Sequence, residues 1–219
     1  MIHAPLHRHA CNALAKGVAF AINKYTMKIS TLCKEVIQSP ETFDFAKAVA
    51  EHVLSRDYNP YGVPPSLEES LSEAVRQKSD SLIMRLTYSV LEITPMDIEA
   101  HALLSMAAFR QCRKDIHHLH NFIASRLLDR LLATGDGKTY VSAFKITLPK
   151  DELALFHHLK LFPTSRVSQE REDNAYDIYT LQDNECLYFD ISIPFKKQMD
   201  LIPGRETAPR NGRERESDL

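Results

Sequence analysis

The sequence predicts an α+β fold, with an N-terminal helical part packed on a small C-terminal antiparallel sheet that carries one helix. Two observations lead there. From residue 30 to about 133 the apolar residues recur every three or four positions, which is helical spacing. From about residue 140 the pattern alternates, and Asp173-Asn174 and Asp183-Asn184 separate three short runs rich in β-forming residues. Of the 219 residues 44% are apolar, enough for a real core, while 6 Gly and no Trp disfavour a Gly-rich sandwich or barrel.

Ser30-Thr31 opens a short helix with Leu32, Cys33, Val36 and Ile37 on one side. Ser39-Pro40 reads as an N-cap followed by proline at the first helical position, so a helix is expected over residues 40–55 around Phe45, Val49 and Val53. Three prolines and one glycine make residues 56–65 a loop. Ser66 and Glu69 have the spacing of a capping box before a helix with Leu67, Leu71, Ala74 and Val75. A further helix runs from Asp80 to about Ile93.

Residues 97–113 are apolar on nearly every side, including Leu104, Met106 and Phe109, so this helix is expected to be central and buried. With the helix at 115–133 it forms a tetratricopeptide-like pair, although only one such unit is visible. Strand periodicity then runs through Tyr140, Phe144, Ile146 and Leu148, and Pro149 to Glu152 starts a short helix. Strands are expected at 166–172, 175–182 and 186–193 as an antiparallel meander.

The organisation expected is residues 1–26 as a non-core extension, 27–134 as the helical part, 135–202 as the sheet part of the same domain, and 203–219 as a disordered tail. Met27 reads as a natural start, and no export signal precedes it, so the expected location is the cytoplasm. The formal net charge is −2 and the basic residues are scattered, which gives no footprint for nucleic acid or an anionic membrane. Cys11, Cys33, Cys112 and Cys186 have no zinc spacing and are expected to be reduced, at least three of them in apolar surroundings.

Gly135-Asp136-Gly137-Lys138-Thr139 resembles the end of a phosphate-binding loop, but Leu132 stands where the first glycine is needed. The order is also helix to strand, which presents the wrong end of the helix dipole to a phosphate. Gly135, Asp136, Gly137 and Lys138 are therefore read as a structural turn, with Gly135 in the left-handed region after the helix. His117, His118 and His120, with His157-His158, lack a metal motif and are read as polar side chains on solvent faces. No cofactor, metal or catalytic residue is assigned. Tyr58, Asn59 and Tyr61 can supply rigid contact area to a partner, or can lock their loop onto the core.

Three segments in register carry a resemblance: Asp57-Tyr58-Asn59-Pro60-Tyr61-Gly62, then residues 131–139 followed by Ala143-Phe144, then Leu187-Tyr188-Phe189-Asp190-Ile191. Together they resemble a bacterial family, domain of unknown function 4919, over residues 28 to about 195. The resemblance implies the same division of the fold and brings no activity. The function expected is a non-enzymatic protein-binding domain, specifically a bacterial immunity protein that neutralises a cognate toxin. The alternatives are a small hydrolase using Asp136, Lys138 and a histidine near the Gly135–Thr139 turn, and a helical-repeat adaptor using residues 80–133.

Overall fold

The computed structural model describes residues 27–201. The expected extension and the expected tail lie outside them. Six helices come first: α1 (Met27–Gln38), α2 (Phe45–Leu54), α3 (Pro65–Arg76), α4 (Asp80–Ile93), α5 (Ile98–Arg110) and α6 (Lys114–Leu132). The remainder is β1 (Phe144–Lys145), α7 (Asp151–Leu159), β2 (Pro163–Arg171), β3 (Asn174–Leu181), β4 (Cys186–Asp190) and α8 (Ser192–Asp200). The α+β class holds.

The helix starts show which capping signal wins locally. The Ser39-Pro40 start is corrected: residues 39–42 form a turn, and α2 begins where the Lys47 N–H donates to Asp44 Oδ1 at 2.9 Å. A carboxylate at the N-cap suits the helix dipole better than a hydroxyl, which favours the later start. The Ser66 capping box does not form either. Pro65 takes the first helical position of α3, where a missing N–H costs nothing. Asp97 caps α5, accepting from the Ala100 N–H at 2.9 Å.

The strand order is β1-β4-β3-β2. β2, β3 and β4 form the expected antiparallel meander, but β1 pairs parallel to β4, so the sheet is mixed. The long strand expected through Tyr140–Leu148 is reduced to two residues, because the Thr147 and Leu148 amides turn to Asp151 Oδ2 at 2.8 and 2.9 Å. The last strand stops at Asp190, short of the expected 193. Asp190 Oδ1 accepts from the Ser192 N–H and hydroxyl, and Pro194 sits in the first turn of α8, where it cannot break the helix. The sheet part thus holds two helices, not one.

One hydrophobic cluster joins both parts: Leu91, Leu104, Leu127 and Leu131 from the helices meet Phe144, Leu155, Phe156 and Phe189 from the sheet part. Fully burying one such side chain contributes about 1.5–3 kcal/mol. α5 departs from its expected all-round burial, since Met106 and Phe109 are exposed. Of the described cysteines only Cys33 is buried. Cys112 and Cys186 are exposed, which corrects their expected apolar setting, and all three are free.

Candidate functional site

The exposed side of α5 is the floor of an open groove of about 830 Å³, walled by α3 on one side and α7 on the other. Its apolar residues remain open to solvent: Val75 is 42%, Met106 50% and Leu153 48% exposed. An ion pair and a hydrogen bond brace the walls, Lys150 to Glu68 at 2.7 Å and His157 Nδ1 to Glu99 Oε1 at 3.1 Å. Exposed pairs of this kind contribute about 0–1 kcal/mol each, so they set geometry more than stability.

The groove continues into a smaller pocket of about 290 Å³ that shares Glu68, Asp97 and Lys150 with it and is closed by Tyr61 and Leu148. Burial raises the Asp97 carboxyl to about 6, against the opposing pull of its bond from the Ala100 amide and the nearby Lys150.

The proline-rich loop reaches this pocket from the far side. Tyr58 is buried and donates its hydroxyl to the Thr147 carbonyl at 2.5 Å, so it fastens the loop to the sheet part. Asn59 Oδ1 accepts from the Tyr61 N–H at 3.3 Å, an Asx turn that aims the next ring outward. Tyr61 is 44% exposed. Of the three residues singled out for partner contact, Tyr58 anchors, Asn59 shapes and Tyr61 presents its ring.

Beneath Tyr61 lies a polar cluster that sequence reading missed. Tyr179 and Asp177 share the helix-facing side of β3, opposite Arg166 and Ser168 of β2. Asp177 is buried and accepts from Arg166 Nη2 and from the Ser168 hydroxyl, the latter at 2.5 Å. Glu152, from the first turn of α7, is only 6% exposed and accepts from the Tyr179 hydroxyl through Oε2 at 2.7 Å. Burial pushes its carboxyl up to about 8, with the Asp177 carboxylate adding to the rise. The signal was an acid in mid-strand, Asp177 between Tyr176 and Ile178, where the apolar alternation breaks.

The histidines are also redistributed. His118 is exposed, but His120 is buried and stands against His101, a residue that sequence reading passed over, with Nδ1 to Nδ1 at 2.8 Å. The solvent-face reading fails for His120 because α6 turns that side toward α4 and α5, where Tyr88 packs edge-on against the ring. Among the described residues no three His, Cys, Asp or Glu side chains stand together as a metal site would require.

The glycine turn directs its polar groups inward. The Gly137 N–H donates to the Ser142 carbonyl at 2.8 Å, the Tyr188 N–H donates to Gly137 O at 2.8 Å, and the Lys138 N–H donates to Asp136 Oδ1 at 3.0 Å. Asp136 and Lys138 themselves are exposed. The left-handed residue is Gly137 (φ 70°), not Gly135 as expected. Gly135 is instead required by close approach, since a Cβ there would lie 2.1 Å from the Ser142 carbonyl oxygen.

Fold and groove together define an α+β domain with an open apolar channel between three helices and a tyrosine at its end. A family model described as "Domain of unknown function (DUF4919)" matches residues 42–200, and the chain belongs to that family. No curated protein and no solved structure matches it. Among the described residues no helix is long and apolar enough to cross a membrane.

Proposed function

We propose that this chain is a non-enzymatic protein-binding domain, of the bacterial immunity kind, that seats an apolar segment of a cognate toxin in the α3–α5–α7 groove. The observation that carries the reading is the groove itself. A helix whose sequence calls for burial on nearly every side leaves Met106 half exposed between two other exposed apolar residues. Contiguous apolar surface of this kind marks interaction sites in soluble domains. Tyr61 at the groove's end adds the amphipathic aromatic contact favoured at interfaces. A toxin that acts in the cytoplasm fits the cytoplasmic location proposed for the chain.

The helical-repeat adaptor reading draws on the same surface, because Val90, Leu103 and Met106 of the groove come from residues 80–133. It differs in the occupant, a general peptide ligand rather than one toxin. The hydrolase reading gains less, since the Gly135–Thr139 turn uses its amides within the chain.

The test is co-expression with the product of a neighbouring toxin-like gene. Burying the exposed half of Met106 contributes about 0.8–1.5 kcal/mol and a buried charge in its place adds a further cost, so Met106→Glu is expected to weaken the complex roughly tenfold or more and to remove protection. A folded Met106→Glu, Leu153→Asp double variant that binds and protects like the wild type contradicts the proposal.

A further inference from the structure

Glu152 Oε1 has no hydrogen-bond partner, although it is fully buried. A deprotonated carboxylate in that position would be both desolvated and unsatisfied, at a cost of several kcal/mol. The Asp177 side chain lies within hydrogen-bonding reach of Glu152. Both Asp177 oxygens already accept, one from Ser168 and one from Arg166, and each retains further acceptor capacity. A proton on Glu152 Oε1 resolves the orphan, because the group then donates to Asp177 while Oε2 continues to accept from Tyr179.

The place of this proton in the fold gives it a consequence. Glu152 faces the sheet from α7, whereas Lys150 at the helix cap and Leu153 and His157 of α7 line the groove. The same short helix is therefore the groove's wall on one side and the lid over the carboxyl pair on the other. We propose that a proton shared between Glu152 and Asp177 latches α7 onto the sheet, and that its loss loosens the α7 wall of the groove. The proposal extends the binding reading by giving that site a pH-dependent wall, and it rests on that reading for its consequence only.

The charges around Glu152 come from every element near α7. Asp177 on β3 opposes ionisation, while Arg166 on β2 and the Tyr179 hydroxyl favour it. On the loop, Tyr61 is coupled to the same three groups, Asp177, Arg166 and Glu152. On the helical side, Arg130 of α6 is drawn to Asp151, Glu99 of α5 pairs with His157, and Glu68 of α3 pairs with Lys150. Asp151 itself is tied to the Thr147 and Leu148 amides. The nearest cation, Arg166, is thus shared with Asp177, and burial keeps the proton on Glu152 with a carboxyl held at about 8. The raised value means that the latch is complete below about 4.5 and is lost as pH rises through about 8.

The test compares wild type with Glu152→Gln, whose amide donates to Asp177 and accepts from Tyr179 with no proton to lose. Amide exchange of residues 151–159 is followed from pH 6.5 to 9.5 after correction for the intrinsic rate. The expected result is an increase in wild-type opening on the order of tenfold between pH 8 and 9.5, absent from Glu152→Gln. Parallel, flat profiles overturn the latch. Infrared difference spectra of wild type and Glu152→Gln supply a second readout. A protonated-carboxyl stretch present at pH 7 in wild type, lost above pH 9 and missing from Glu152→Gln supports the latch, and identical carboxyl bands in the two proteins at pH 7 refute it. Neither measurement involves a partner, so either can fail while the groove still binds one, and the converse also holds.

Discussion

Acidification is expected to destabilise the fold through the His101–His120 pair, and the structure sets the size of the effect. The His101 Nε2–H donates to the Pro95 carbonyl at 2.9 Å, so its Nδ1 carries the lone pair and His120 donates Nδ1–H across the 2.8 Å gap. Adding a proton to His101 turns this contact into two opposed N–H groups inside the core. Burial, against the opposing pull of the bond to Pro95, lowers His101 to about 4, and burial with His101 adding to the effect holds His120 well below the ordinary histidine value. A depressed histidine leaves stability intact above about 6.5. Stability is then lost as pH falls toward the folded-state value, because only the unfolded chain takes up the proton. For His101 the loss by pH 4 is about 3 kcal/mol, a large part of a small domain's total. Asp97 and Glu152, both raised, shift stability in the opposite sense over overlapping ranges, so a comparison is needed to isolate the histidine. Urea unfolding of wild type and His101→Gln, whose amide keeps the bond to Pro95, is expected to give curves that diverge steadily between pH 6.5 and 4. Nitrogen NMR of the imidazoles should show an Nε2–H tautomer at His101 and an Nδ1–H tautomer at His120. Parallel unfolding curves, or a His101 ring titrating near 6.5, would refute the reasoning.

Two further outcomes follow from single contacts. Tyr58→Phe removes the donor to the buried Thr147 carbonyl and should lower unfolding free energy by about 1–3 kcal/mol, read by chemical denaturation. Burial pushes the Cys33 thiol up to about 12, so a thiol reagent at pH 8 should modify the exposed Cys112 and Cys186 while Cys33 resists until the protein unfolds.

The helical part was legible because amphipathic spacing is local, and α4, α5 and α6 lie within a few residues of their expected spans. What escaped depended on contacts distant in sequence. The parallel pairing of Phe144 with Phe189 cannot be read from either segment alone. Helix α8 was hidden because Ile191 and Ile193 continue the strand alternation, and only the Asp190–Ser192 turn contacts show where the strand ends. The all-round burial expected of α5 failed for a related reason. Apolar residues all round α5 signal that each face meets something apolar, and the sequence does not say that the face bearing Met106 and Phe109 stays open to solvent. Polar residues inside apolar runs, His101 on α5 and Asp177 on β3, were the available signals for the two buried polar pairs.

Hydroxyl-radical footprinting of the proposed complex with the product of a neighbouring toxin-like gene tests the groove most directly, because it reads side chains. Met106, Leu153 and Tyr61 should lose reactivity together when the partner binds, while Val141 and Phe162, exposed elsewhere on the surface, should not change. A complex that forms with all three groove residues still oxidised at their free rates would place the partner on another face and contradict the assignment.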